Sequence, residues 1–443
     1  MDYNEEIIGL IRPKVPFSTK AAYALGHIFN DLAAAMWFSY TLLYLQRIAL
    51  FQPITAGALL FLGQIVDALA TPVFGFLVDR YYDKKKWHLI GSIMVTFSFP
   101  VIFGTFVDTR SPIAKVVYVA SITVFQTGWP AVQISHLSVI PILSKSPLIR
   151  TELTAIRYSA QVGAAVTVFI ITWIVLPAND ESLLQVTEQD ANKFRNIALM
   201  ITVIGVVATI FFHIFLKSHL LEDPSKADLS EIRIENSVPQ ELPWSTITLL
   251  LKVAMLYVAS RLFITLATIY LPLYIEDINV GGKQALATVP LVAHVSSFAA
   301  ALFLKYITRS CGTRVCYLLG ALVGVLSSFV VEFAGGNAIA LYSAAILIGA
   351  GSSITMITSL SITADLIGLR TEKSALVYSC VTFLDKVVTG LAVVLIEKAR
   401  CEDRELCLNY NRDTLATVCV SSMMLGLLSL MSVSRCLSCN YKI

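Results

Sequence analysis

The chain has 443 residues, of which 56% are hydrophobic and only 14% charged, a balance that excludes a soluble domain folded around one core. Its net charge of +3 says little about partners and gives no sign of nucleic-acid binding. Hydropathy marks out twelve segments of about 20 apolar residues or more, the length a helix needs to cross a bilayer. The first six lie near residues 21–45, 54–78, 88–107, 112–143, 152–176 and 194–216, and the second six near 245–275, 283–306, 313–333, 338–364, 374–397 and 413–434. Between the sets runs the longest polar stretch, 217–244, rich in acids and prolines. The expected fold is an all-α integral membrane protein with twelve transmembrane helices in two six-helix halves. Those halves are 21–216 and 245–434, with tails at 1–20 and 435–443.

Of the 33 Lys and Arg residues, 20 fall on the side of the termini, 10 on the opposite side, and Lys252, Arg261 and Lys386 within spans. The positive-inside rule then expects both termini in the cytoplasm. Residues 1–20 hold charges and two prolines where a signal peptide needs an unbroken apolar core, so the first span is expected to act as the signal anchor. All eight cysteines lie from Cys311 to Cys439. Cys401 and Cys407 share one loop and can either bridge or remain free thiols, whereas Cys436 and Cys439, with no His nearby, suit acylation better than a metal.

An ionised side chain at mid-bilayer costs about 2.5 to 3.5 kcal/mol, so charges inside the spans must be paired, hydrated or functional. Asp31 lies in the first span with His27 one turn before it on the same face. Asp67 lies in the second, with Thr71 one turn later, Pro72 beside it, and Asp79 and Arg80 closing the span. Lys386 is in the eleventh span beside Asp385. Asp31, Asp67 and Lys386 are therefore expected to neutralise one another across a central cavity. For Asp79 and Arg80 an interfacial role and a gating role are both open, while His27 and His136 are expected to be hydrogen-bonded structural groups.

Polar stripes point to a hydrated interior. Gln126, Trp129, Gln133 and His136 recur at helical spacing in the fourth span, and Tyr257, Arg261, Thr265 and Thr268 in the seventh. Asp31, Asp67, Gln126, Trp129, Gln133, Arg261 and Lys386 are thus the candidate substrate and coupling residues. Arg150 and Arg157, together with Asp365, join Asp79 and Arg80 as gating candidates, topology-setting charge being the other reading of the two arginines. No phosphate-cradling loop, metal-ligand cluster or soluble catalytic domain is visible. The chain is therefore expected to be a secondary transporter of a small polar solute in a lipid bilayer, without enzymatic activity or cofactor.

Several motifs resemble the glycoside, pentoside and hexuronide:cation symporter-like branch of the major facilitator superfamily. They are Asp67 to Pro72 with Gly75 and Asp79, Pro141 with Arg150 and Arg157, and TFLDK at 382–386. The blocks GHIFNDLAAAMWFSYTLLYL at 26–45 and GALLFLGQIVDALATP at 57–72 are similar to one subgroup of that branch, which is associated with cysteine import into lysosomes and melanosomes. Sodium-coupled sugar carriers of the branch have a second acid one turn after the aspartate of the second span, where this chain has Thr71. A lone carboxylate is a poor sodium cage but an adequate proton carrier, so a proton is favoured as coupling ion over sodium. Glu6 followed by Leu10 and Ile11 matches an acidic dileucine sorting signal that adaptor proteins read. A sugar:cation symporter, a lysophospholipid carrier and a non-transporting solute sensor remain as alternatives.

Overall fold

The computed structural model describes residues 15–81, 83–108, 111–143, 147–176, 185–216, 244–278, 280–333, 337–367, 374–401, 407 and 409–440. Two expected spans are broken. The first is α1 (Phe17–Leu25) followed by α2 (Ile28–Arg47), and the fourth is α5 (Pro112–Leu137) followed by the short α6 (Ile140–Leu143). At the first break, a Cβ on Gly26 would lie 2.5 Å from Phe212 and 2.7 Å from His136, so the close approach requires glycine. The carbonyls of Tyr23 and Gly26 accept from His136 Nε2 at 2.8 Å and from His88 Nε2 at 2.6 Å. Backbone acceptors within a membrane must be satisfied by protein, and here two histidines supply the donors.

The remaining crossings of the first half are α3 (Pro53–Tyr81), α4 (Lys84–Ile102), α7 (Pro147–Val175) and α8 (Ala191–Phe215). The second half contains α9 (Trp244–Ile278), α10 (Ala285–Cys311), α11 (Thr313–Phe333), α12 (Ala338–Ile367), α13 (Ser374–Ala399) and α14 (Tyr410–Asn440). Local chemistry sets several boundaries. Asp83 caps α4 by accepting from the Lys86 amide at 3.1 Å, and Ser111 caps α5 with Pro112 just inside it, the arrangement that uses orphan donors best. Lys85 reaches the far end of α8, donating to the His213 and Leu216 carbonyls at 2.9 and 2.6 Å, where a cation also offsets the helix dipole.

Counting α1 with α2 and α5 with α6 as single crossings, the described helices make twelve. Among the described residues, eight helices are long and apolar enough to cross a membrane by length and composition. Phe76, Phe97, Phe303, Phe329 and Leu428 point outward and exposed, while Trp37, Tyr40, Phe125 and Tyr270 are fully buried. So much outward apolar surface suits lipid, not water. In the second half, Gly349 lies directly against the Ala293 carbonyl, and a Cβ on Gly351 would sit 3.1 Å from the Gly324 backbone. Small residues let α10, α11 and α12 approach this closely. The hydroxyls of Thr355 and Thr358 bond back to their own helix, so they add no inter-helix contact there.

The halves meet along three helix pairs: α2 with α9, α3 with α13, and α7 with α10. Because successive crossings alternate in direction, the seam has a terminal end, where the chain's first and last crossings begin and finish, and a distal end near Arg47 and Ala399.

Candidate functional site

The central site lies on the seam between α3 and α13. Pro72 has no N–H, which leaves α3 short of one internal hydrogen bond. Just before it, Thr71 Oγ1 donates to the Asp67 carbonyl at 2.7 Å and sits 3.2 Å from Asp67 Oδ1. Lys386 Nζ approaches Asp67 Oδ2 to 2.7 Å and donates to Thr71 Oγ1 at 3.1 Å. Gly390 allows this proximity, since a Cβ there would meet Phe61 at 2.5 Å and Gln64 at 3.2 Å.

A second ion pair adjoins the first. Asp385 precedes Lys386, and consecutive helical residues point about 100° apart, so it faces a different neighbour: Arg261 Nε lies 3.0 Å from Asp385 Oδ2, and Thr389 donates to its other oxygen at 3.3 Å. The four side chains carry two positive and two negative charges, a set without net charge. They differ in access, with Arg261 the most open at 30% exposure and Asp385 nearly closed at 5%.

Asp31 departs from the expected central cluster. It meets His27 on its own helix, with Nδ1 to Oδ1 at 2.9 Å, and its place in the first turn of α2 is one that favours a carboxylate. Trp129 Nε1 donates to Gln133 at 3.1 Å, and Asn30 donates to the Trp129 carbonyl at 2.9 Å. Gln126 packs with Trp37 around Gly63, while His136 turns away to Tyr23, ring on ring at 4.3 Å. The fourth-span stripe therefore supports the first crossing rather than forming one open face.

The gating candidates are scattered. Arg80 is exposed at the end of α3, and Arg157 Nη2 lies 3.1 and 3.4 Å from the two ring nitrogens of His27, a contact inside the first half and not across the seam. The side chains of Asp79, Arg150, Asp365, Cys436 and Cys439, and all of Glu6, Leu10, Ile11 and 217–243, lie outside the described residues.

What does join the halves is a polar clamp at the distal end, built from residues that the sequence reading did not single out. Arg47 of α2 pairs with Glu276 of α9 and lies 3.8 Å from Asp277. Glu397 of α13 accepts from Gln46 at 2.7 Å, Tyr270 at 2.9 Å, and both Nε and Nη2 of Arg400 at 2.7 and 3.0 Å. Arg400 also donates to Asn411, and Asn411 to Asp277 at 2.6 Å. Beside these, Lys283 meets Asp190 at 2.8 Å, and the Val186 amide donates to Glu276 at 3.2 Å. Cys401 and Cys407 form a disulfide next to this clamp.

Two six-helix halves with paired charges at the middle of their seam define a membrane transporter fold of the major facilitator type. The family model described as MFS/sugar transport protein matches residues 21–397, and the chain belongs to that family. It is 36% identical to the Homo sapiens protein named major facilitator superfamily domain-containing protein 12 over 413 residues, covering 88% of this chain and 86% of that one. The Mus musculus protein of the same name is 35% identical, with 88% and 87% covered. Among solved structures, a D-xylose-proton symporter superposes with a TM-score of 0.70 at 13% identity, covering 94% of this chain and 97% of that one. That likeness shows the fold.

Proposed function

We propose that this multi-pass membrane protein imports cysteine by alternating access, coupled to a proton, into lysosomes or related organelles, with both termini in the cytoplasm. The observation that carries the reading is the neutral double pair Asp67–Lys386 and Arg261–Asp385 at mid-seam. A zwitterion leaving water needs a cation for its carboxylate and an anion for its ammonium, and this site offers both. Arg261, the most open of the four, takes the carboxylate, and a carboxylate of the set takes the ammonium. Asp67 is the coupling group: a proton on it removes the charge that holds Lys386. Thr71 adds one oxygen to one carboxylate, well short of the 6 to 8 oxygens of a hard-cation cage such as that for calcium, so a proton suits the site better than sodium.

The similarity to the human relative supports the transporter reading, and the subgroup resemblance in residues 26–45 and 57–72 is the source of cysteine and of the organelle. Adaptor recognition through Glu6, Leu10 and Ile11 belongs to the same proposal. The test is uptake of labelled cysteine, cystine and hexoses into proteoliposomes with and without a pH gradient. Gradient-driven accumulation of cysteine, with competition by its analogues, is expected. Competition by hexose alone would replace the amino-acid reading with a sugar:cation symporter.

A further inference from the structure

Pro290 lies inside α10, close to its distal start at Ala285. A proline has no N–H, so the carbonyl four residues earlier, that of Leu286, loses its donor within the helix. That carbonyl is met from the other half of the molecule. Tyr40 of α2, two turns before Arg47, donates its hydroxyl to the Leu286 carbonyl at 2.8 Å, across 246 positions of the chain, and both residues are buried. The Tyr40 ring is fixed by its own half, edge-on to Phe169 of α7 at 6.2 Å and to Phe194 of α8 at 6.0 Å. The hydroxyl is thus a rigid first-half donor aimed at the gap that a proline makes in a second-half helix.

The first turn of α10 has a joint on each side. Upstream, Gly281 and Gly282 hold φ of 76° and 60°, a left-handed backbone that glycine adopts without strain. Downstream, Pro290 interrupts the hydrogen-bond ladder, and helices bend where that happens. Between the joints, Lys283 meets Asp190 of the first half at 2.8 Å, both side chains nearly closed to solvent. Beyond Pro290 the helix is held separately: the His294 ring lies 5.1 Å from Phe169, and its Nδ1 donates to the Pro290 carbonyl at 2.9 Å. Two contacts therefore fasten 283–286 to the first half, and a third fastens position 294 on the other side of the proline.

Inside a membrane the Leu286 carbonyl can be met only by a protein donor or by water. The Tyr40 bond is therefore exchangeable where water enters from the distal side, and nowhere else. We propose that residues 281–289 form a hinged latch over the distal end of the site, bending at the glycine pair and at Pro290 to release Tyr40 and Asp190 before the polar clamp of Arg47, Glu276 and Glu397 lets go. The distal end then opens in two stages, latch first. The docking stands on its own geometry, and only its part in solute passage rests on the transporter reading.

Amide hydrogen exchange, read by mass spectrometry on the full-length protein in lipid nanodiscs, compares segment 281–293 with the clamp segments 270–278 and 393–400. Tyr40→Phe keeps the ring and removes the hydroxyl, leaving the Leu286 carbonyl without its donor. Exchange in 281–293 is expected to rise by about tenfold, the scale of one unmet buried acceptor, while the clamp segments exchange as in the wild type. Pro290→Ala restores an N–H at that position, so Leu286 regains a donor within its own helix, and in that background Tyr40→Phe should change little. No rise in 281–293, an equal effect of Tyr40→Phe in both backgrounds, or a rise of all three segments together overturns the latch, the last being the signature of halves that part as rigid bodies. If Pro290→Ala does not fold, the comparison of segments in Tyr40→Phe decides. Uptake is measured separately, with Pro290→Ala expected to slow it by stiffening the joint; an unchanged rate would remove the latch from solute passage. A wild type that moves no cysteine would remove the transport reading and leave the exchange result standing.

Discussion

Asp67 at mid-seam meets one cation and one hydroxyl, whereas Glu397 at the distal end of the same seam accepts from Gln46, Tyr270 and twice from Arg400. Both are carboxylates held against the opposite half, but they differ in how many donors would have to let go together. Asp67 has only Lys386 and Thr71 to release. Glu397 is fixed by four hydrogen bonds from three side chains, and its own side chain is fully buried. Pairing of charges is therefore not one device in this molecule: a sparse pair is exchangeable, and a saturated one is a fastening.

The largest expected effect comes from the sparse pair. Asp67→Asn keeps the shape and removes the titrating charge, so gradient-driven accumulation should vanish while protein yield and melting temperature stay near wild type. Accumulation as high as wild type would show that the coupling proton binds elsewhere. Next is the fastening: Glu397→Ala leaves Arg400 short of its main partner, and breaking a buried pair costs about 3 to 5 kcal/mol. If that cost falls on the closed arrangement, labelling by a membrane-impermeant thiol reagent of a cysteine placed at Thr41, which is fully buried on α2 just inside the clamp, should rise by at least about a hundredfold. Unchanged labelling would make the distal network a passive staple.

A smaller change is expected from Arg261→Lys, which retains charge but not the planar fork. KM for cysteine should rise by about tenfold, or about 1.4 kcal/mol, with the gradient dependence kept; a change in gradient dependence alone would move Arg261 from substrate to coupling. The smallest effect belongs to the disulfide. Cys401 and Cys407 close a loop with a sequence separation of only 6, so Cys401→Ser should cost about 2 kcal/mol by chain entropy and leave uptake in place. Loss of uptake would tie that loop to the clamp.

The sequence carried the fold well because apolar runs of spanning length are hard to mistake. It also pointed to Asp67 and Lys386, since charges stranded in such runs need partners. Its reading of Asp31 failed for a local reason: His27 stood at the right spacing to satisfy it, and that short-range partner won over a distant lysine. The clamp was illegible for the opposite reason. Arg47, Glu276 and Glu397 sit at span ends, where charges are cheap and need no explanation, and their pairing links positions 229 and 351 residues apart in the chain. The break at Gly26 was hidden as well, because glycine alone does not announce a discontinuity that depends on Phe212 and His136 crowding it.

Asp385 and Lys386 are consecutive residues on one stiff helix, yet each is wired to a different neighbour, Arg261 and Asp67. A few degrees of rotation of α13 about its axis cannot open one contact without straining the other. In electrical language, α13 is a double-pole switch whose two contacts share one shaft. On the proton-coupled reading proposed above, a solute that took Arg261 away from Asp385 would relax the torque on that shaft, and the change would reach Asp67 with no chain of intermediate residues to carry it. Coupling between solute and proton would then need no relay, only a backbone too rigid to let neighbours act independently.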